Sequence, residues 1–259
     1  SDWDRALGII AKSLHALEDP NDAYFYTSGR ASNEAAYLWQ LLARQYGTNN
    51  LPDCSNMCHE SSGVALNESI GIGKGTVRLE DFDKADLIVI VGQNPGTNHP
   101  RMLSALKSAK KSGASVLSIN PLKETGMRRF RHPQSPIDML GAGTQISDDH
   151  VNIKINGDMA LFRAIGSIIL DKGSHDPDFI NLNTTGFLDY AKIAQKIDWD
   201  LIEHLTGQDR GRINEISDYF CRSRRTIVCW AMGITQHKNS VNTIREIMNV
   251  LLLKGDIGR

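Results

Sequence analysis

The sequence has no apolar run long enough to cross a lipid bilayer. Its most apolar stretches, LIVIV and IMNVLLL, fall far short of the roughly 20 residues that a membrane-spanning helix needs. It also lacks an excess of charge of one sign, because 29 Lys and Arg residues stand against 30 Asp and Glu residues, a net charge of −1. Such a balance gives no electrostatic reason for binding nucleic acid or an anionic membrane. We therefore expect no membrane span and no nucleic-acid partner.

Cysteine is scarce as well, with 4 residues in 259. That number is too small for the disulfide framework of a small secreted domain. The first residues, SDWDRALGIIAKSL, carry acids in an amphipathic pattern and do not resemble a secretory signal. A reduced, cytoplasmic setting is expected, and a cleaved export signal is the alternative if the chain is a fragment.

Three near-continuous apolar runs predict strands that are buried on both faces of a parallel sheet. They are ADLIVIVG (85–92), ASVLSINP (114–121) and TIVCWAMG (226–233), and VNIKI (151–155) is a fourth, shorter candidate. Helical patterns lie between them, and 122–150 is irregular. The fold class predicted is α/β: a Rossmann-like, doubly wound, mostly parallel sheet with helices on both faces, plus part of a neighbouring α/β domain.

The first 60 residues predict two helices, a strand and a loop. Helices are indicated by the apolar stripe of DWDRALGIIAKSLHAL (2–17) and by ASNEAAYLWQLLARQYG (31–47), which Ser32 caps and Gly47 ends. The aromatic stretch between Asp22 and Gly29 predicts a strand. A polar loop then holds Cys54 and Cys58.

Ligands of doubly wound sheets bind outside the carboxyl ends of the strands, where the loops GQNPGTNHP, INPLKETG and WAMGITQ would meet. Gly92 and Gly96 allow a close backbone approach that suits a phosphate or pyrophosphate, although the first loop is neither GxGxxG nor a Walker A loop. Trp230 could stack on a ring and Gln236 could hydrogen-bond one. The alternatives are a plain turn and core residues at the strand edge.

Other candidates lie at similar turns. Asn120 stands where a dinucleotide-binding domain often has an acid for a ribose hydroxyl. Arg30 lies at a strand-to-helix turn and offers a fork of donors to phosphate, with a solvated surface charge as the alternative.

The stretch NMCHESSG (56–63) sets Cys58 beside His59 in polar surroundings. Cys54 and Cys58 form C-x3-C, but no second cysteine pair completes a zinc or iron–sulfur site. Cys221 and Cys229 fall on helix and strand patterns and are interpreted as buried. A metal ligand and a lone catalytic thiol beside His59 both remain open.

Together these stretches resemble the molybdopterin oxidoreductases, in particular the formate dehydrogenase alpha subunit-like branch. The residues that carry the resemblance span nearly the whole chain in order: TSGRASNEAAYLWQLLARQYGTNN, MCHESSGVAL, ADLIVIVGQNPGTNHPRML, GASVLSINP, INGDMALFRAIG and WAMGITQHKNSVNTIREI. The resemblance implies two-electron redox chemistry at a bis-molybdopterin guanine dinucleotide centre. It implies that Cys58 ligates molybdenum and that His59 accepts a proton.

The resemblance also implies a set of residues that hold the dinucleotide. They are Arg30, Asn33, Gly92, Gln93, Asn94, Pro95, Asn98, His99, Asn120, Pro121, Trp230, Met232, Gly233 and Gln236.

Two residues depart from the formate dehydrogenase pattern: Asn120 replaces an acid, and Glu60 stands where glycine is usual. The family's iron–sulfur cysteines and its C-terminal pterin-binding barrel are absent from this sequence. The resemblance therefore implies a fragment, inactive by itself, in which 1–54 is an N-terminal α/β lobe completed by downstream chain and 55–259 is the dinucleotide-binding domain. A 4Fe–4S cluster, a redox partner protein and a small substrate such as formate are expected of the full-length protein.

Two other function classes remain. One is another dinucleotide-binding α/β enzyme, of the nicotinamide or thiamine diphosphate type, although the missing GxGxxG argues against nicotinamide. The other is a binding or scaffold module that has lost the cofactor, in which Cys58 would have no role.

Overall fold

A computed structural model describes residues 2–29, 31–52, 54–134 and 141–258. The chain divides into two compact units, Ser1–Glu60 and Ser61–Arg259. The assignment of 1–54 and 55–259 to two domains stays a prediction. No helix within the described residues is long and apolar enough to span a membrane.

The first unit contains helices α1 (Trp3–His15) and α2 (Asn33–Tyr46), both as predicted. Ser32 caps α2 by accepting the N–H of Ala35, and Gly47 ends it in the left-handed region at φ 110°. A 3₁₀ turn lies at Pro20–Asp22.

The predicted strand at Asp22–Gly29 is wrong, because Asp22 ends the 3₁₀ turn and Thr27 is the one residue of this segment that forms a β-bridge among the described residues. Its side chains alternate as in a strand, with Phe25 buried and Tyr24 and Tyr26 exposed. However, Phe25 packs against the rings of two α2 residues, Trp39 and Tyr46, at centroid distances of 5.5 and 5.7 Å. The aromatic signal therefore came from a helix-packing cluster and not from sheet pairing.

The predicted polar loop around Cys54 and Cys58 is also wrong. These residues lie on helix α3 (Cys54–Ile70), which departs from helical geometry at His59, with φ −138° and ψ 15°. The helix has almost no apolar periodicity before Ala65 and Leu66, which are buried in the second unit. Its first turns therefore carried no helical signal in the sequence.

The second unit is built on a parallel sheet of four strands in the order β3-β2-β1-β4. The strands are β1 (Leu87–Val91), β2 (Ser115–Ile119), β3 (Asp149–Val151) and β4 (Thr226–Trp230). The three apolar runs predicted as buried strands are confirmed, while β3 begins before the predicted VNIKI and ends at Val151. Beyond it Ile153 is still buried, whereas Ile155 is 76% exposed and lies in a turn.

Helices flank the sheet along the rest of the chain. They are α4 (Pro95–Asn98), α5 (Met102–Lys111), α6 (Thr125–Arg128), α7 (Asp158–Asp171), α8 (Pro177–Asn183), α9 (Phe187–Ala194), α10 (Trp199–Thr206), α11 (Arg210–Arg222), α12 (Met232–Thr235) and α13 (Ser240–Leu253), with a 3₁₀ helix at Leu79–Lys84.

Side chains of β1 pack into two separate hydrophobic cores. Leu87 and Val89 pack into a core that includes α7, whereas Ile88 and Ile90 pack into a second core that includes α5. Because successive side chains of a strand point to opposite faces, this division shows helices covering both faces of the sheet. The predicted doubly wound α/β fold is confirmed.

Candidate functional site

The carboxyl ends of β1 and β4 meet through two glycines. The N–H of Gly233 donates to the carbonyl oxygen of Gly92 at 3.0 Å, and Gly92 has a left-handed φ of 56°. A Cβ on Gly233 would lie 2.7 Å from the Cα of Gly92 and closer still to its carbonyl oxygen. Only glycine fits at either position, so the ends of β1 and β4 meet here through main-chain atoms without side chains.

A second backbone contact lies beside the first. A Cβ on Gly96, in α4, would be 2.8 Å from the Cα of Gly126, in α6. The sequence had singled out Gly96 as a close-approach residue, but it gave no indication that its neighbour would be Gly126. We call the space above these contacts, at the carboxyl ends of β1 and β4, the strand-end crevice.

The loop after β1 carries buried polar atoms that have no hydrogen-bond partner among the described residues. These atoms are Oε1 of Gln93, whose residue is only 7% exposed, and Oδ1 of Asn94. The Nε2 atom of Gln93 lies 3.2 Å from Nδ1 of His99. Buried polar atoms without a partner are rare in proteins because each costs about 1–3 kcal/mol, so such atoms favour a site that a polar ligand completes.

The chain after β4 adds three more buried polar atoms that lack a partner within the described residues: Nδ1 of His237, Oδ1 of Asn239 and Oγ of Ser240. The sequence analysis stopped at Gln236 and missed them. The polar run QHKNS, which begins three residues after Gly233, is the signal that could have indicated them.

Asp158, the first residue of α7, was also missed. Its side chain is 4% exposed and its Oδ2 atom lies 4.0 Å from Nδ1 of His237. Burial raises the pKa of Asp158 from 3.8 to about 6, against a smaller lowering by a hydrogen bond with its own backbone. Burial also lowers the pKa of His237, so both groups favour their neutral forms.

This pKa shift predicts how stability depends on pH. Between about pH 4 and about pH 6 the unfolded chain ionises Asp158 while the folded protein keeps it protonated, so stability falls as pH rises. A shift of this size corresponds to about 3 kcal/mol. We expect Asp158→Asn to abolish this fall in the free energy of unfolding with rising pH, as measured by urea unfolding. Asp171→Asn, at an exposed acid of the same helix, should leave the fall unchanged. An unchanged fall in Asp158→Asn would contradict the assignment.

The remaining strand-end candidates have internal partners. Asn120 accepts the N–H of Leu122 at 3.1 Å, and the carbonyl of Pro121 accepts the side chain of Asn152 at 2.8 Å. Trp230 is half-buried, and its Nε1 donates to Oγ of Ser62 at 2.9 Å.

The other candidates of this unit divide by exposure. Asn98, His99, Met232 and Gln236 are exposed, and Pro95 is buried. These residues belong to the loops that were predicted to meet at the strand ends. Their contacts with a cofactor stay a prediction.

The first unit holds the other candidates. Arg30 lies outside the described residues, and Asn33 is exposed at the start of α2. Beside Arg30, the N–H of Gly29 donates to Sγ of Cys54 at 3.0 Å. Cys54 therefore has a structural contact that the sequence did not indicate.

Cys58 is half-buried and forms no disulfide, and the next residue, His59, is exposed where α3 departs from helical geometry. Within the described residues, no group of three or more His, Cys, Asp and Glu side chains could hold a metal ion.

Known proteins match this chain over its whole length. The family model described as molybdopterin oxidoreductase matches residues 1–259. An uncharacterised oxidoreductase of Mycobacterium tuberculosis is 49% identical over 263 residues, which cover 99% of this chain and 34% of that protein. Formate dehydrogenase H of Escherichia coli is 28% identical over 262 residues, covering 99% of this chain and 34% of that protein. The chain thus spans about a third of the length of these relatives.

A solved structure shares the fold. Acetylene hydratase from Pelobacter acetylenicus superposes with a TM-score of 0.73 at 19% sequence identity, covering 100% of this chain and 33% of that one. The family predicted from the sequence is confirmed by the match to residues 1–259. The chain belongs to the molybdopterin oxidoreductase family.

Proposed function

We propose that the protein containing this chain is a molybdenum-dependent oxidoreductase of the formate dehydrogenase-like type, working at a bis-molybdopterin guanine dinucleotide centre. The observation that carries the proposal is the set of buried, unpartnered polar atoms on Gln93, Asn94, His237 and Asn239 at the strand-end crevice. Doubly wound sheets bind nucleotides at this position, and the whole chain matches the molybdopterin oxidoreductase family model.

One guanine dinucleotide fits the crevice residues. The bare backbone at Gly92 and Gly233 would let a flat or phosphorylated group approach closely. The unpartnered oxygens of Gln93 and Asn94 accept hydrogen bonds, and a guanine edge or a ribose hydroxyl supplies donors. The ionisable Asp158 supplies a further acceptor above its raised pKa of about 6.

Cys58 is proposed as the protein ligand of the molybdenum. A thiolate is a soft donor that suits a sulfur-rich metal centre, and the sulfur of Cys58 is not engaged in a disulfide. The bound centre would supply the redox chemistry by taking up two electrons. His59, the next residue, is exposed and is proposed to accept the proton that the substrate releases.

A small substrate such as formate is proposed, on the basis of the similarity to formate dehydrogenase H. Oxidation of formate breaks its C–H bond and yields CO₂, one proton and two electrons. The proton would go to His59, and the electrons would leave through a 4Fe–4S cluster of the longer protein to a redox partner protein. Glu60 distinguishes this chain from formate dehydrogenases, so another small substrate remains within the proposal.

The proposal is tested by cofactor analysis of the purified full-length protein. We expect molybdenum by mass spectrometry, and guanine nucleotide after acid release, in the ratio that a bis-dinucleotide centre requires. A folded protein with neither would favour the cofactor-free scaffold, and release of a nicotinamide or thiamine cofactor would favour another dinucleotide enzyme.

The isolated chain of 259 residues is expected to be inactive and to hold no stable molybdenum. Stoichiometric metal in that chain would contradict this part.

A further inference from the structure

A cavity of about 580 Å³ lies along β3, the edge strand of the sheet. We call it the basic cavity. Its lining includes Lys123, Arg128, Arg129, Asp148, Asp149 and His150. None of these residues was predicted to hold the dinucleotide, and β2 and β1 separate β3 from β4. The basic cavity lies along β3, whereas the strand-end crevice lies at the ends of β1 and β4, and the two regions adjoin at α6, whose Gly126 contacts Gly96.

The carboxylates of the basic cavity are neutralised by residues outside its lining. Asp148 forms an ion pair with Lys110 and accepts the N–H of Val116 at 2.7 Å. Asp149 pairs with Arg212, whose Nη2 lies 2.7 Å from Oδ1. Opposite charge at this distance offsets most of the field of a carboxylate.

The cations of the lining have no such partner. In the part of the chain that the structure describes, no ion pair joins Lys123, Arg128 or Arg129 to a carboxylate. The lining thus carries an uncompensated positive charge, although the chain as a whole has a net charge of −1. Concave surfaces lined by one sign of charge concentrate ligands of the opposite sign.

His150 adds a polar group at the same place. Its Nδ1 lies 3.4 Å from Oγ of Ser118, and its Nε2 is buried without a hydrogen-bond partner among the described residues. Burial, with the nearby charge of Lys123, lowers the pKa of His150. A neutral imidazole carries one N–H, so it provides a hydrogen bond without adding to the charge.

We propose that the basic cavity binds a small phosphorylated anion, at a site independent of the dinucleotide. Two arginines side by side favour phosphate, because each guanidinium presents a planar fork of donors that matches the oxygens of a phosphate group. The volume lies within the range of about 300–1,000 Å³ typical of small-molecule sites, which leaves room for an organic group beside the phosphate. A concave site of this size suits a small anion better than the surface of an acidic protein.

The test measures binding of inorganic pyrophosphate to the full-length protein by calorimetry at constant ionic strength. The double variant Arg128→Ala/Arg129→Ala is expected to weaken binding at least about tenfold, through loss of two charge-assisted contacts. Lys123→Met should weaken it in the same direction. The matched control is Lys74→Ala/Lys111→Ala, which removes the same charge from exposed residues outside the lining and should change the affinity by less than about twofold.

Because Arg128 and Arg129 are exposed, melting curves of their variant should match those of the unsubstituted protein. The proposal is overturned if the unsubstituted protein does not bind pyrophosphate, or if the control loses as much affinity as the arginine variant. It is also overturned if a poly-glutamate peptide binds through the same arginines more tightly than pyrophosphate. That result would indicate an acidic protein partner.

Discussion

Replacing Cys58 by serine in the full-length protein is expected to lower molybdenum-dependent activity by more than about 100-fold. Loss of a group that merely orients a metal ligand already costs about 10–100-fold in metal affinity or activity, and Cys58 is proposed to be the ligand itself. A serine hydroxyl ionises far less readily than a thiol and is a harder donor, so it replaces the thiolate poorly. Activity and molybdenum content are measured on the same preparation.

The matched control is Cys221→Ser, at another half-buried cysteine that forms no disulfide and lies on α11. It should retain nearly full activity, because Cys221 packs against the hydrophobic core of the second unit. Cys58→Ser should unfold at the same urea concentration as the unsubstituted protein. Full activity of folded Cys58→Ser would exclude ligation by Cys58.

Replacing Gly233 by alanine is expected to destabilise the second unit by about 3 kcal/mol, near the upper end of overpacking effects. The new Cβ would meet the Cα of Gly92 at 2.7 Å and its carbonyl carbon at 2.9 Å. Both atoms belong to the backbone and cannot rotate away like a side chain. The end of β1 would have to move from β4, which breaks the hydrogen bond from Gly233 to Gly92. Urea unfolding followed by circular dichroism measures the change.

Gly75→Ala is the control for this substitution. A Cβ on Gly75 would meet no atom within 4 Å, and its φ does not lie in the left-handed region. This variant should be neutral or more stable by up to about 1 kcal/mol, because alanine restricts the unfolded chain. Equal stability of Gly233→Ala and Gly75→Ala would show that the strand ends of β1 and β4 lie further apart than described here.

The strands of the sheet were predictable because burial on both faces leaves a local signature. Leu87 to Val91 are all apolar, and five such residues between polar segments predict a central parallel strand without knowledge of its neighbours. The helical start of α3 was not predictable in the same way. Residues 54–60 contain a single large apolar residue, Met57, so no stripe marked a helix. Aromatic residues around Phe25 misled the prediction, since a helix-packing cluster and a strand draw on the same residue types.

The candidate site was predictable only where its residues directly follow a strand. The loop after β1 could be predicted because fold topology places it at the ligand-binding edge, whereas Gln93 and Asn94 themselves were implied by the family resemblance. Gly126, Asp158 and His237 were missed, because their roles depend on contacts between segments far apart in the sequence. No local pattern specifies which glycine faces Gly96 or which carboxylate becomes buried.

The backbone contacts beneath the strand-end crevice separate what sets the shape of the site from what recognises the ligand. Main-chain atoms of Gly92 and Gly233 set the shape of the site. These residues have no side chain that could distinguish one ligand from another. Under the proposed function, the chemical identity of the ligand would be recognised by nearby side chains such as Gln93 and Asn239. The main-chain contacts can stay constant while single substitutions at these side chains alter which ligand is preferred. Ligand preference in this domain can then diverge among relatives without any change in the architecture that supports it.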